Sequence, residues 1–228
     1  MKKLTLLLSL CILVLNVFAQ KHNADSAVKV MQAQEDSTLR AAMHADSVRI
    51  KREFAFKMKV AKVQPSIIYP VLNAGQFSGI VPVKDRTEIP DTNMDYKLLF
   101  EISFSNPDSI VKEINTGLVE VARVINLHVA SGIPLKRIFP VIVFHGGGIK
   151  VVTNNTYYKE HFKIENPNIK VINQLSDLGA RFIVCGQSMA YGEIKKEMFL
   201  PQVKVSLTAQ TVLTSYQLKG YVKNTIQQ

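Results

Sequence analysis

The sequence predicts an α/β protein: a three-layer α/β/α sandwich with a mainly parallel sheet of about five strands, preceded by an N-terminal helical extension. Three observations carry this. Short bulky runs such as Leu98-Leu99-Phe100 and Phe182-Ile183-Val184 are too short for helices and apolar enough for strands buried on both faces. Between them lie stretches whose apolar residues recur at three and four. Asn-Pro pairs open these stretches and glycines close them, as helix punctuation requires. Strands alternating with helices give a parallel sheet covered on both sides.

The elements follow in order. Lys2 and Lys3 precede an uncharged run from Leu4 to Val17, and small residues then stand where a signal peptidase reads. Residues 1–19 are therefore expected to be a cleaved secretory signal, the apolar run falling short of the roughly 20 residues that span a bilayer. This makes the mature protein periplasmic. Its formal charge falls from +10 to +8 with Lys2 and Lys3 removed. Export turns that basic balance away from nucleic acid and toward anionic lipid, envelope polymers or small anions.

Residues 20–62 lack proline and glycine and are dense in helix formers. One long helix or two are expected. Asp-Ser recurs at Asp25-Ser26, Asp36-Ser37 and Asp46-Ser47, each pair followed by apolar residues; an eleven-residue apolar repeat favours a right-handed supercoil, and successive helix caps are the other reading. Residues 49–62 are basic around Ile50, Phe54, Phe56 and Met58. Such a segment suits a membrane surface, or a helix packing an apolar stripe on its own domain or a neighbouring subunit. Residues 63–95 carry Pro65, Pro70, Pro82 and Pro90 and read as a linker or strap with short extended pieces.

Residues 96–228 form the α/β domain. A first strand runs over 97–104, and Asn106-Pro107 starts a helix with inner residues Ile110 to Val129, ended by Gly132 and Pro134. A second strand over 141–145 leads into Gly146-Gly147-Gly148. A helix over 156–162 follows, and a further one has Ile169, Ile172, Leu175 and Leu178 inside. The third strand ends at Cys185. Val203 to Leu207 is the fourth, Thr208 caps a helix to Leu218, and a short fifth strand falls at Val222.

The chemistry is expected at the carboxyl ends of the strands, where open α/β sheets bind ligands. Cys185 is the pivot. With Cys11 removed in the signal it is the only thiol of the mature chain, so it is buried and inert, paired between chains, or kept for its reactivity. Gly186 allows a tight turn, and the free amides of a helix beginning at Gln187 or Ser188 favour a thiolate. His145 ends the neighbouring strand on the same edge. It is expected either to meet Cys185 and move protons or to bond to turn backbone. Gly146 and Gly147 bring backbone amides toward an anion or make the turn.

Stronger motifs fail. The glycines do not complete GxGxxG, because residue 151 is valine, and Lys150 stands in no phosphate-loop pattern. An esterase reading with Ser188 as nucleophile lacks a later histidine, His161 being the last. The histidines and Cys185 show no metal-ligand spacing, so neither metal nor cofactor is expected.

The segments VIVFHGGG (141–148), ENPNIKVINQLSDLGARFIVCGQSMA (165–190), LPQVKVSLTAQTVL (200–213) and YQLKGY (216–221), with GLVEVARVINLHVASGIP (117–134) upstream, resemble the DsrE/DsrF-like proteins, specifically their exported members. The resemblance covers about residues 96–222. It implies the three-layer fold and, in sulfur-relay members, a strand-end cysteine that carries sulfur as a persulfide to a partner thiol protein. That role falls on Cys185, with His145 and Asn166 at matching motif positions and assembly as trimers or hexamers implied. The relay members act in the cytoplasm, whereas this chain looks exported, and its N-terminal helix and proline-rich strap lie outside the family core.

Overall fold

A computed structural model describes residues 2–224 and 226, with side chains from residue 31 on. The signal expected over residues 1–19 and the pair Asp25-Ser26 therefore concern side chains outside the described residues. The chain divides into two compact units, Met1–Pro65 and Ser66–Gln228.

The first unit is one helix, α1 (Lys2–Val63), without the break that would make two. Its helix-forming composition without proline or glycine accounts for the continuity. Met31, Leu39, Met43, Ile50, Phe54, Phe56 and Met58 are all more than half exposed. Among the described residues no helix is long and apolar enough to cross a membrane.

The second unit is built on a five-stranded sheet: β1 (Tyr96–Ile102), β2 (Ile138–Phe144), β3 (Arg181–Cys185), β4 (Val203–Ser206) and β5 (Val222–Asn224), in the order β4-β3-β2-β1-β5. Every pairing is parallel. β2 starts three residues before the expected Val141 and runs through Pro140. β3 pairs with β2 only from Val141 onward, so the proline has no ladder to donate to on that side.

Helices α2 (Thr116–Ala130), α3 (Asn155–Phe162) and α4 (Ile169–Asp177) lie with the strap over one face, closing a core around Phe100, Ile102, Leu118, Ile142, Phe144, Ile172 and Phe182. Helix α6 (Ala209–Leu218) covers the other face, packing Ala209 and Leu213 on Leu99, Val141, Val143, Ile183 and Cys185. A short α5 (Gly186–Tyr191) follows Cys185 directly.

One expectation shifts. The helix read from Asn106-Pro107 is a short 3-10 turn over Asp108–Ile110, and α2 begins only at Thr116, where buried Asn115 caps it by accepting from the Gly117 amide at 3.0 Å. The strap lies against the core through its short extended pieces. Leu72, Ala74 and Ile80 are buried, Ile68 and Ile80 form an antiparallel bridge, and fully buried Asn126 of α2 clasps the chain. Its Oδ1 accepts from the amides of Val71 and Leu72, each at 3.0 Å, and its Nδ2 donates to the carbonyls of Leu72 and Ser78 at 2.7 and 2.9 Å. One side chain thus satisfies four backbone groups that would otherwise be buried unpaired.

Candidate functional site

The site grows from the alternation of side chains along the strands. On the α6 face, Leu99, Val143 and Ile183 share one cluster with Cys185, so Glu101 and His145, each two residues further on, stand on the same face. Lys223 pairs with Leu99 across the sheet and joins them. The carboxyl edge therefore carries Cys185 on β3, His145 after β2, Glu101 on β1 and Lys223 on β5, in consecutive strands.

Cys185 is free and 5 % exposed. Burial pushes its thiol up. The amide and hydroxyl of Ser188, then the amides of Ala209 and Gln187, pull the other way and leave it below the ordinary cysteine value. Cys185 holds the N-cap position of α5 without a capping hydrogen bond of ordinary geometry, so these donors act on the charge of the thiolate rather than by fixing the neutral thiol. The helix expected to begin at Gln187 or Ser188 begins at Gly186 and has only six residues, too short for much of a dipole. Local amides and one hydroxyl supply the field instead.

Ser188 has a second contact, its Oγ accepting from the Gly146 amide at 2.8 Å. That bond links the turn after β2 to the cysteine turn and leaves the hydroxyl proton free to point at sulfur. Ser188→Ala should raise the Cys185 thiol pKa and leave the Gly146 amide without its acceptor. The check is the rate of alkylation by iodoacetamide against pH. In the parent protein reactivity should persist below the ordinary thiol range and vanish as pH falls through the folded value; in the variant the midpoint should move up.

Gly186 is required for space. A Cβ there would lie 2.6 Å from the Ser206 carbonyl oxygen, where β3 and β4 end side by side. Gln187 is exposed, and its amide also reaches the Leu207 carbonyl at 3.3 Å.

His145 does not bond to Cys185 among the described residues. Its Nε2 meets Glu101 Oε1 at 2.9 Å, and the other Glu101 oxygen is ion-paired with Lys223. Burial raises the Glu101 carboxyl, but the hydrogen bond and charge of Lys223, with those of His145, bring it below the usual carboxylate value. Beside this cluster is a pocket of about 320 Å³ lined by Glu101, His145 and Lys223 with Ser103, Phe104, Asn224 and Ile226. Cys185 does not line it. The expected meeting of His145 and Cys185 thus becomes adjacency on neighbouring strands, with the imidazole bonded toward β1.

The glycine turn is mostly committed internally. Gly146 has φ +51°, its amide goes to Ser188, and the Gly148 amide donates to the His145 carbonyl at 2.9 Å. Gly147 is half-buried against Ser105 and the Phe104 backbone. Of the two expectations for these glycines, an anion approach or a turn, the first fails for Gly146, whose amide is committed to Ser188 and not to an anion. These residues make a turn, a 3-10 helix over Gly146–Val152.

Asn166 is likewise structural. Its Nδ2 donates to the carbonyls of Val151 and Thr153 at 3.0 and 2.6 Å, and its Oδ1 accepts from the amide and side chain of Asn168 at 2.9 and 2.8 Å. That uses its full hydrogen-bonding capacity and leaves none for a ligand. Asn168 in turn accepts from the Asn115 amide at 2.7 Å, so a buried asparagine chain locks the loops behind the site.

Sequence reasoning missed Glu101, Lys223 and the Ala209 amide. A signal existed for Glu101, the lone charge inside the buried run LLFEI. Among the described residues no three His, Cys, Asp or Glu side chains converge to hold a metal ion.

A family model described as the DsrE/DsrF-like family matches residues 106–223. A solved structure, the protein of unknown function MTH1491 from Methanobacterium thermoautotrophicum, is similar at 19 % identity with a TM-score of 0.42, over 57 % of this chain and 98 % of its own. No curated protein matches.

Proposed function

The chain belongs to the DsrE/DsrF-like family, and from that premise we propose that it is an exported, sulfurtransferase-like carrier that holds sulfane sulfur as a persulfide on Cys185 and passes it to a partner thiol. One observation carries the reading: a free strand-end thiol whose pKa is lowered against its own burial by Ser188, Ala209 and Gln187. A cysteine serving only as core packing needs no such donors, and burial alone would leave it inert.

The loading step balances. The Cys185 thiolate attacks the outer sulfur of a donor R–S–SH; the donor S–S bond breaks, R–S⁻ leaves with the electron pair, and Cys185 becomes a persulfide. The same amides that favour the thiolate favour the persulfide anion. At 5 % exposure the sulfur is reached when the first turn of α5 or the turn between β4 and α6 shifts. The test is the intact mass of the mature protein before and after polysulfide and again after reduction. A reducible gain of whole sulfur atoms mapping to Cys185 supports the carrier; a free thiol that ignores polysulfide in the folded protein rules it out.

A second reading, an oligomeric assembly module, is favoured by α1. Leu39 and Ile50 stand eleven residues apart, as do Met43 and Phe54, and all four are exposed. An eleven-residue apolar repeat fits a right-handed coil of like helices. The flanking Arg49, Lys51, Arg52, Lys57, Lys59 and Lys62 also suit an anionic membrane surface. Ile50→Glu with Phe54→Glu in the full chain should lower the molar mass measured by light scattering. An unchanged mass removes α1 from assembly.

A further inference from the structure

The carrier reading leaves the pocket beside His145 unused. Glu101 has both oxygens engaged, one by His145 Nε2 and one by Lys223, and its carboxyl is held ionised. A carboxylate only accepts, so the proton of that bond sits on Nε2, and Nδ1 is the ring nitrogen not committed to Glu101. Nδ1 has no hydrogen-bond partner among the described residues. This is an imidazole oriented by a third group, on the strand next to the thiol and on the same face; neighbouring strands lie about 4.8 Å apart.

We propose that the pocket at the ends of β2, β1 and β5 is an acceptor site, in which a small thiol gives its proton to His145 and takes sulfur from Cys185. The inference rests on the carrier reading and names its acceptor. At about 320 Å³ the pocket is at the small end of ligand sites. Its walls combine Phe104 and Ile226 with Ser103, Asn224 and the Lys223–Glu101 ion pair, which suits a compact polar thiol.

The step balances without an oxidant. R–SH loses its proton to Nδ1; R–S⁻ attacks the outer sulfur of the Cys185 persulfide; the S–S bond to Cys185 breaks, and the electron pair leaves on its sulfur as the thiolate. R–S–SH departs and His145 returns its proton to solvent. The persulfide carries the transferable atom one S–S bond, about 2 Å, beyond the buried Cys185 sulfur. His145 is the catalytic base, and Glu101 and Lys223 are positioning residues. The titratable groups facing His145 are Glu101 on β1, Lys223 on β5 and Cys185 on β3. α6, the helix on this face, packs apolar Ala209, Val212 and Leu213 there, while its Tyr216 phenol is bonded by Arg181 at the other edge of the sheet.

The experiment loads the full chain to completion with polysulfide, removes the excess, adds L-cysteine and follows loss of sulfur from the protein by mass against pH. His145→Gln should unload about 100-fold more slowly at pH 7. The gap should close as pH approaches the ~8.5 at which the free thiol ionises by itself. Lys223→Met should slow unloading with the same pH-dependent closure. Unloading of His145→Gln at the parent rate, or a deficit equal at every pH, overturns the acceptor site. A second measurement is independent of loading. In Cys185→Ser, S-methylcysteine should shift the His145 ring resonances, and their failure to move overturns the site. A parent protein that never loads sulfur overturns the carrier reading and this one together; loading followed by unloading indifferent to His145 overturns only the acceptor site.

Discussion

Cys185→Ser should abolish sulfur loading outright, with the protein otherwise folded as before. Serine keeps the shape of the side chain and replaces a sulfur that makes no ordinary capping hydrogen bond, so the cost to stability should be small, about 1 kcal/mol. A hydroxyl has no accessible anion near neutral pH and forms no persulfide. The variant should therefore show one unchanged intact mass before and after polysulfide, while the parent gains reducible sulfur. Its urea midpoint checks that the fold survives. If the variant gained sulfur as the parent does, the sulfur would not reside on Cys185 and the carrier reading would fail. The surrounding geometry sharpens the expectation, because Ser188 and the Ala209 and Gln187 amides have an anion to stabilise only while the sulfur is there.

Much of the fold was legible because buried parallel strands and amphipathic helices write different periods into the chain. Phe182-Ile183-Val184 had to be a strand, and the Ile169, Ile172 and Leu175 spacing had to be the inner face of a helix; the structure has both. The turn at Cys185-Gly186 was legible for the same reason, a short apolar run stopping at a residue without a side chain. What stayed hidden depends on partners distant in sequence. Residues 66–80 read as a linker or strap with short extended pieces, and nothing local reveals that Asn126, some fifty residues on, satisfies their backbone.

The site divides along the same line. Cys185, Gly186, Gln187 and Ser188 are one local turn, and their relation could be read directly. His145, Glu101 and Lys223 come from three strands, and their meeting depends on strand order. Since β5 returns beside β1 rather than extending the β4 edge, Lys223 arrives at Glu101 and draws the cluster toward that side of the sheet. The sequence placed His145 on the correct edge but could not say which neighbour its ring would choose. Asn166 shows the opposite failure: a polar residue at a motif position reads as a ligand contact, whereas burial makes it a clamp for Val151 and Thr153.

Gly148→Ala should cost the most stability of any one-carbon addition at the site, about 3–5 kcal/mol. The added Cβ would stand 2.2 Å from the Ile102 carbonyl oxygen and 2.8 Å from its carbon, both backbone atoms at the end of β1. No rotamer relieves such a contact, so the turn must lift away from the strand. Lifting it breaks the Gly148 amide bond to the His145 carbonyl and drags the His145 amide from the Ile102 carbonyl it bonds at 3.1 Å. The effect should spread into chemistry, because moving His145 and Gly146 disturbs the Glu101 pairing and the Ser188 contact behind Cys185. Gly179→Ala is the control. Its Cβ would meet nothing within 4 Å, and only the φ of +83° opposes it, a conformational penalty of about 1 kcal/mol. Urea unfolding of both variants gives the comparison. A Gly148→Ala midpoint no lower than that of Gly179→Ala would mean that the turn is soft enough to yield, and that His145 is not held rigidly against β1.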